Sequence, residues 1–397
     1  MISYDRILSK RAQEIKPSGI RRFFDLAETM EGVISLGVGE PDFRTPWAIR
    51  SAAINTLERQ TIVYGANSGL LQLRQEVARF MERRHGLSYD PAHELFITVG
   101  GSEAVDLTFR ALLNPGDEVL ITEPCFVCYA PLVSMASGVP VALPTHHEDE
   151  FRLTADTLKA ALEAHPNAKL LVLSYPNNPT GAIMTEADYR PLAELIRKTD
   201  MMVLSDEIYS ELTYGTKHCS IATLEGMHER TIVVNGFSKA FAMTGWRLGW
   251  MAGPEPVIQQ ALKIHQYGIM CAPMVSQRAA IEALTHCDEE VSRMAEEYDH
   301  RRRYMLKRFA EMGLTCFPPA GAFYLFPCIS ATGMDAETFC EALLHEEKVA
   351  VVPGTAFGES GKDHVRISYA YSLKHLTEAA DRMERFIRRH VKENGAK

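Results

Sequence analysis

Length, composition and charge place the chain among ordinary globular proteins. It has 397 residues, of which 46% are hydrophobic and 23% are charged, as is typical of a folded enzyme. Its formal net charge is −9, and no cluster of lysines and arginines with interleaved aromatic residues is present, which argues against nucleic acid as a partner. No apolar stretch is long enough to cross a bilayer, and residues 1–11 lack the apolar centre of a secretion signal. We therefore expect a cytoplasmic protein that does not bind membranes.

The eight cysteines are scattered along the chain. One pair, Cys125 and Cys128, has the spacing of a redox or metal-binding motif. A zinc site would need a second pair at suitable spacing, and the sequence has none. A thioredoxin-like motif belongs to a much smaller βαβ context. We interpret both residues as small, partly buried thiols and expect no metal site.

Short apolar segments alternate with helical patterns through the middle of the chain, which is typical of a parallel sheet covered by helices. Several of these segments are rich in Val, Ile and Leu without alternation, as expected for strands buried on both faces. The predicted strands are 95–99, 118–122, 139–143, 170–174, 202–205, 231–235 and 248–252. Helices are predicted between them, for example at 102–113, 154–164 and 186–198.

The last third of the chain has a different character. Residues 288–312 form a long, charged helical pattern with one apolar stripe. The stripe consists of Val291, Met294, Tyr298, Met305, Phe309 and Met312. Further elements are predicted as strands at 314–317, 323–326, 349–352 and 365–369 and as helices at 336–347 and 373–391. We expect a smaller α+β domain formed by residues 1–44 and 276–397, beside a large domain formed by residues 45–275.

Lys239 lies just after a buried predicted strand, and Arg247 follows eight residues later among glycines and small residues. A lysine held in an apolar pocket loses its proton more readily than one in water. The neutral amine can then form an imine with an aldehyde cofactor. Ser238 and Arg247 are suitable groups to hold a phosphate nearby. Taken alone, this segment would be interpreted as a solvated loop with ordinary basic residues, so the assignment depends on the other motifs.

Other predicted strands also end in chemically useful residues, and ligands bind at the strand ends of parallel sheets. Gly101 and Ser102 begin a helix whose free N–H groups can bind phosphate, although an ordinary N-cap has the same sequence. Asn178 can donate to a ligand oxygen, or it can belong to a plain turn. Asp206 could pair with a protonated ring nitrogen and Tyr209 could reach the same ligand, the alternative being that Asp206 caps a helix.

Arg366 lies in an otherwise apolar predicted strand and needs a partner, which a substrate carboxylate would supply. The alternative is an edge-strand arginine that faces water. Phe323, Tyr324 and residues 353–358 are interpreted as elements that line a cleft. Together these residues require a ligand with a phosphate, an aldehyde, a protonated ring nitrogen and a ring oxygen. Pyridoxal phosphate has all four groups.

The order of these motifs resembles that of the class I aminotransferases, which share the aspartate aminotransferase fold. The resemblance extends from Ile15 to Arg388. It implies an α/β protein of PLP fold type I, with a mainly parallel seven-stranded sheet covered by helices in a large domain and a smaller α+β domain. The matching residues are Gly39-Glu40-Pro41-Asp42-Phe43, Tyr64, Gly69, Gly100-Gly101-Ser102-Glu103-Ala104, Pro124-Cys125-Phe126, Asn178-Pro179-Thr180-Gly181, Asp206-Glu207-Ile208-Tyr209, Ser238-Lys239, Arg247 and Arg366.

The resemblance also implies catalytic roles. Lys239 would carry pyridoxal phosphate as an imine and then move a proton between the substrate Cα and the cofactor. Asp206 would pair with the pyridine nitrogen, while Tyr209 and Asn178 would hydrogen-bond the ring oxygen. Phe126 would stack on the ring.

The remaining implied roles concern the phosphate, the substrate and the partner subunit. Gly101, Ser102, Ser238 and Arg247 would hold the phosphate, and Glu103 of the same turn is included among the cofactor-binding residues. The Gly39 backbone, Asn178 and Arg366 would hold the substrate α-carboxylate. Tyr64 would reach the phosphate of the neighbouring subunit, which implies a homodimer with shared active sites.

The implied reaction transfers an amino group from an L-amino acid to a 2-oxo acid in two half-reactions. Residues 15–21, 234–239 and 365–370 resemble prokaryotic aromatic or aspartate aminotransferases, so 2-oxoglutarate is the expected acceptor. Its second carboxylate needs a cation, and Lys16, Arg21 and Arg22 are candidates. The alternative for these three residues is a solvated basic face.

Two other functions are compatible with parts of the sequence. β-Eliminating carbon–sulfur lyases share the fold and nearly all the cofactor residues, because their chemistry diverges only after Cα deprotonation. Some transcription regulators carry an aminotransferase-like domain, but they need a DNA-binding domain as well. The residues before the first cofactor motif show no helix-turn-helix pattern, and the net charge is acidic, which disfavours a regulator.

Overall fold

The strands form one large sheet and two small ones within the part of the chain that this computed structural model describes. The described residues are 2, 4–17, 19 and 30–394. In chain order the strands are β1 (Ile34–Ser35), β2 (Leu95–Thr98), β3 (Glu118–Glu123), β4 (Val139–Pro144), β5 (Leu170–Ser174), β6 (Met202–Asp206), β7 (Thr231–Gly236), β8 (Gly249–Ala252), β9 (Tyr324–Leu325), β10 (Val349–Ala350), β11 (Val352–Pro353) and β12 (Val365–Ser368).

Several helices begin where the sequence supplies capping residues or prolines. Thr154 and Thr185 each accept a backbone N–H from the first turn of the helix that follows, which satisfies a donor that the helix itself cannot pair. The described helices are α1 (Tyr4–Ile7), α2 (Lys10–Glu14), α3 (Trp47–Arg59), α4 (Leu71–His85), α5 (Gly101–Leu112), α6 (Tyr129–Met135), α7 (Ala155–Ala164), α8 (Glu186–Ile196), α9 (Glu255–Gly268), α10 (Met274–His286), α11 (Asp288–Met312), α12 (Ala336–Glu347) and α13 (Leu373–Asn394).

The large sheet has seven strands in the order β2-β8-β7-β6-β5-β3-β4. Strand β8 runs antiparallel to both of its neighbours, and the other pairs are parallel. The prediction of a mainly parallel seven-stranded sheet is therefore confirmed. The winding direction reverses between β3 and β5, since β4 lies outside β3 while β6 and β7 lie beyond β5. In sheets of this kind, ligands bind at the carboxyl ends of the strands near such a reversal.

Strand β5 shows why these strands lack an alternation of apolar and polar residues. Leu170 and Val172 belong to the apolar cluster on one face of the sheet, whereas Leu171 and Leu173 belong to the cluster on the other face. All four side chains are buried. A strand covered by helices on both faces must be apolar at every position.

The C-terminal third contains the small sheets. Strands β11, β12 and β9 form an antiparallel sheet, and β1 pairs in parallel with β10. The predicted strand at 314–317 is wrong, because only Thr315 pairs there, in an isolated bridge to Cys328. Pro318 and Pro319 follow directly, and proline cannot donate a ladder hydrogen bond.

The predicted apolar stripe of α11 is buried along its whole length. Its residues belong to the same core cluster as Trp250 of the large sheet and Phe386 of α13. One continuous core thus joins the large sheet to the C-terminal elements. The domain boundaries at residues 45 and 275 stay a prediction.

No helix in the described part of the chain combines the length and hydropathy that a transmembrane span requires.

Candidate active site

A cavity of about 690 Å³ lies at the carboxyl ends of the central strands. It is lined by residues that follow β3, β5, β6 and β7 in the chain, so it lies at the edge where the winding reverses. The predicted site residues that line it are Gly39, Gly101, Ser102, Phe126, Asn178, Asp206, Tyr209, Ser238, Lys239, Arg247 and Arg366. The sheet topology thus brings together side chains that are far apart in the sequence.

Lys239 follows β7, and its ammonium group is held inside the cavity. The Nζ atom donates to the carbonyl oxygen of Gly39 at 2.7 Å. Burial lowers the pKa of Lys239 from 10.5 to about 8, and the positive charges of Arg366 and Arg247 act in the same direction. The negative charge of Glu40 opposes this shift. The lysine is therefore closer to losing its proton than a solvated lysine.

Asp206 ends β6 with its carboxylate buried. The hydroxyl of Tyr129 donates to Oδ2 at 2.7 Å, and the backbone N–H of Ile208 donates to Oδ1 at 3.2 Å. Burial raises the pKa of Asp206, and these hydrogen bonds oppose the increase. The Tyr129 oxygen also lies 3.0 Å from Ser174 Oγ. Since a phenol has one proton, the serine hydroxyl must donate in that second contact.

Tyr209 and Tyr324 form a pair of buried hydroxyl groups. Their oxygen atoms are 2.7 Å apart, and burial raises the pKa of both. Tyr324 also restricts position 39, since a Cβ atom on Gly39 would lie 2.3 Å from the Tyr324 hydroxyl oxygen. The close approach of the Gly39 backbone to the cavity therefore requires glycine.

Arg366 in β12 is a buried cation with spare hydrogen-bonding capacity. Its Nη1 donates to Asn178 Oδ1 at 2.9 Å, and its Nη2 donates to the Gly37 carbonyl oxygen. The guanidinium carbon lies 4.6 Å from the Tyr324 ring centre and 4.7 Å from that of Phe357. The Nε atom has no partner, although the residue is only 3% exposed. Such a cation is suited to bind a carboxylate.

A further group of residues surrounds the N-terminus of α5. Gly100 precedes this helix with φ +79° and without a side-chain cap, so the first N–H groups are open to an anion. Arg247, which has φ +50°, packs against Gly100, since a Cβ atom there would lie 2.8 Å from Nη2. Its Nη1 donates to the Thr244 carbonyl oxygen at 3.0 Å. This end of the cavity can bind a phosphate.

Two predicted cofactor-binding residues do not line the cavity. The Glu103 carboxylate accepts the Val99 N–H and lies 2.7 Å from Nδ1 of the buried His265. The Glu103 side chain therefore fixes the turn that leads into α5, and its role in cofactor binding stays a prediction. Tyr64 is 82% exposed.

Lys16, Arg21 and Arg22 are the candidates to bind the second carboxylate of 2-oxoglutarate. Lys16 is exposed and is not among the lining residues. Arg21 and Arg22 lie outside the described residues. Tyr324 lines the cavity as predicted, whereas the buried Tyr129 is a lining residue that the sequence analysis did not identify. The sequence signal for Tyr129 is its place three residues after Phe126, at the start of α6, which follows β3.

The chain matches the family model described as aminotransferase class I and II over residues 31–383. It belongs to this family. It is 45% identical over 386 residues to the aromatic-amino-acid aminotransferase 2 of Thermococcus litoralis, with 96% of this chain and 98% of that protein covered. The chain is therefore an enzyme, a pyridoxal-phosphate-dependent transaminase.

Solved structures of aminotransferases share the fold. The aromatic aminotransferase from Pyrococcus horikoshii is 44% identical with a TM-score of 0.88, covering 92% of this chain and 99% of that one. The aspartate aminotransferase from Thermus thermophilus with maleate is 37% identical with a TM-score of 0.90, covering 95% of this chain and 99% of that one. The predicted aspartate aminotransferase fold is confirmed.

We expect the reactivity of Lys239 in the cofactor-free transaminase to rise as the pH increases through about 8, because only the neutral amine is nucleophilic. Competitive labelling with acetic anhydride, read by peptide mass spectrometry, measures this midpoint. The same peptide in the denatured chain is the control, and its midpoint should lie near the ordinary lysine value of 10.5. Equal midpoints in the two states would show that burial does not change this lysine.

Proposed function

We propose that the cavity holds pyridoxal phosphate through Lys239 and that the enzyme transfers the amino group of an aromatic or acidic L-amino acid to 2-oxoglutarate in two half-reactions. The observation that supports this most directly is the meeting of Lys239, Asp206 and Arg366 in one cavity. These side chains supply an amine for an aldehyde, a carboxylate for a ring cation and a guanidinium for a substrate carboxylate.

The residues of the cavity fit this cofactor. The uncapped N-terminus of α5 and Arg247 would hold the phosphate, together with Ser102 and Ser238. Asp206 would pair with the ring nitrogen, and Phe126 offers an aromatic face. When bound, pyridoxal phosphate supplies an electrophilic carbon and a cationic ring that accepts electrons from the substrate Cα.

Asp206 has to stay ionised in a buried environment that favours its neutral form. The hydrogen bonds from Tyr129 and the Ile208 N–H stabilise the carboxylate, and a cation beside it would lower its pKa further. Tyr129 also fixes the orientation of the carboxylate. We therefore assign Tyr129 as a positioning residue for Asp206.

Substrate recognition is assigned to Arg366. Two of its donor positions are occupied by Asn178 and Gly37, while Nε remains without a partner. A buried cation that lacks an anionic partner is costly, so the site favours a ligand that brings a carboxylate. The amino acid and the 2-oxo acid both carry one, in agreement with a single site that serves the two half-reactions.

Lys239 would move the proton. With a pKa of about 8, about one tenth of the free amine is neutral at pH 7. The neutral Nζ atom can accept the proton from the substrate Cα and return it on the same side of the cavity. Tyr209 and Asn178 would hydrogen-bond the ring oxygen, with the Tyr209 hydroxyl fixed by Tyr324.

We also propose a homodimer, because a surface around Tyr64 is unusually apolar. Trp47, Leu57, Val63 and Tyr64 are exposed along α3 and the segment after it. Exposed Tyr267, Ile269 and Met270 lie beside this segment, since Asn67 Nδ2 donates to the Met270 carbonyl oxygen at 2.8 Å. Exposed apolar patches of this kind mark protein interfaces.

Lys239→Ala should abolish both half-reactions, since no other residue can replace the attached amine. The wild-type enzyme with cofactor should lose its yellow absorbance on addition of L-tyrosine or L-aspartate and regain it with 2-oxoglutarate. A stopped-flow spectrophotometer measures both changes. Retained turnover in the Lys239→Ala variant would refute the assignment, and thiol release from cystathionine without a 2-oxo acid would indicate a lyase instead.

For the acceptor, we expect Arg21→Ala or Arg22→Ala to raise the KM for 2-oxoglutarate by about ten-fold or more, because a charged hydrogen bond is lost. The KM for L-tyrosine, which has no second carboxylate, should stay within about two-fold. Steady-state kinetics with each substrate distinguish these effects. If neither variant changes the KM for 2-oxoglutarate, the two residues form a solvated basic face.

The dimer proposal concerns Tyr64. We expect Tyr64→Phe to remain dimeric in light-scattering measurements and to bind pyridoxal phosphate about ten-fold more weakly, because one hydrogen bond to the phosphate is lost. Titration of the cofactor-free enzyme measures the dissociation constant. Tyr267→Phe, which also alters an exposed tyrosine of the apolar surface, serves as the control. A monomeric wild-type enzyme with full activity would contradict the proposal.

A further inference from the structure

Residues 37–43, which we call the glycine loop, contact two cations of the cavity, the buried Arg366 and the half-buried Lys239, through backbone carbonyl groups. Gly37 accepts a hydrogen bond from Arg366, and Gly39 accepts one from Lys239. Because these acceptors belong to the backbone, their positions depend on how the whole loop is held. A shift of the loop would move both acceptors away from the cations.

The chain on either side of the glycine loop is fixed to different parts of the protein. The Leu36 N–H donates to the Ala350 carbonyl oxygen, and the Leu36 carbonyl oxygen accepts from the Ser368 N–H, both at 2.8 Å. After the loop, Thr45 Oγ1 donates to the Ala242 carbonyl oxygen at 2.6 Å and accepts from Trp246 Nε1 at 3.1 Å. The intervening residues therefore bridge the C-terminal strands and the segment that follows Lys239.

Arg301 of α11 supplies a side-chain anchor inside the glycine loop. Its Nη1 atom lies 2.8 and 2.9 Å from the two carboxylate oxygens of Asp42. Its Nε atom donates to Glu297 at 2.9 Å, and its guanidinium carbon lies 5.3 Å from the Phe43 ring centre. The Phe43 ring also packs edge-on against Tyr298 at 5.3 Å.

The burial of this anchor makes it stronger than a surface ion pair. The Arg301 side chain is 7% exposed and that of Asp42 is 24% exposed. Solvent-exposed ion pairs contribute little because water screens them, whereas loss of one partner from a buried pair leaves an uncompensated charge. The ion pair between Asp42 and Arg301 can therefore restrict the loop.

We propose that Arg301 is a positioning residue for substrate binding. Its ion pair with Asp42 holds the glycine loop in place, so that the Gly37 and Gly39 carbonyl groups orient Arg366 and Lys239 before the amino acid arrives. The inference rests on the proposed function of Arg366 as the carboxylate-binding residue. Without the anchor, the substrate has to order the loop as it binds, and that entropic cost lowers its affinity.

The test uses hydrogen–deuterium exchange on the cofactor-free enzyme and steady-state kinetics on the enzyme loaded with pyridoxal phosphate. The variants are R301Q, R301K and D42N. R308Q is the matched control, because Arg308 lies seven residues further along α11, is similarly buried, and pairs with Asp381 and Glu384 of α13. D42N changes the less buried partner and keeps the test valid if R301Q does not fold.

We expect exchange in the peptide that covers residues 36–44 to become about ten-fold faster in R301Q and D42N, but not in R308Q. The KM for the amino donor should rise about ten-fold in the same two variants, with kcat and the dissociation constant of pyridoxal phosphate within about two-fold. R301K should show a smaller increase in KM, because its ammonium can still pair with Asp42.

Three results would overturn the inference. Unchanged exchange in R301Q and D42N, or an equal increase in R308Q, would show that the ion pair does not hold the loop. Faster exchange without a rise in KM would show that loop position does not control substrate binding. Failure of the wild-type enzyme to transaminate would instead contradict the proposed function, and the exchange result would still decide whether the ion pair holds the loop.

Discussion

The burial of three ionisable side chains in one cavity is the constraint on which the active site depends. Lys239, Asp206 and Arg366 each lose hydration when they leave water, and isolated buried charges are unstable. The protein compensates each of them with specific partners: a backbone carbonyl for the lysine, a phenol and an N–H for the aspartate, and an amide and a carbonyl for the arginine. These partners do not satisfy every hydrogen-bonding atom, since Arg366 Nε has none. A charged ligand can bind where such a partner is missing.

The parallel sheet makes this arrangement possible. Asp206 ends β6 and Lys239 follows β7, and these strands are adjacent in the sheet. Their carboxyl ends therefore lie side by side without any requirement on the intervening sequence. Arg366 lies in β12, which belongs to a different sheet. Its position relative to Asp206 and Lys239 depends on the core that joins α11 and α13 to the large sheet. The cavity is thus sensitive to packing far from the reacting groups.

The sequence predicted the parts of this structure that local patterns control. Continuous apolar segments predicted all seven strands of the large sheet. Most of them are buried on both faces, which gives them a distinctive composition, whereas β4 is a largely exposed edge strand. The strand at 314–317 failed because two prolines after it prevent a ladder. Tyr129 was missed as a partner of Asp206 because 77 residues separate them, and no spacing rule connects a helix start with a strand end at that distance. The direction of the Glu103 side chain, which points away from the cavity lining toward Val99 and His265, could not be predicted either, because a motif does not show which way a side chain points.

The charges of the cavity also couple substrate binding to the basicity of Lys239. The positive charges of Arg366 and Arg247 hold the pKa of this lysine low, after the larger effect of burial. An anion bound to either arginine offsets its charge, so it raises the pKa of Lys239. A higher pKa makes the neutral amine a stronger proton acceptor. By thermodynamic linkage, protonation of Lys239 must in turn strengthen anion binding at Arg366. The two arginines thus favour the neutral lysine in the empty site, and a carboxylate that binds to one of them increases the basicity of Lys239.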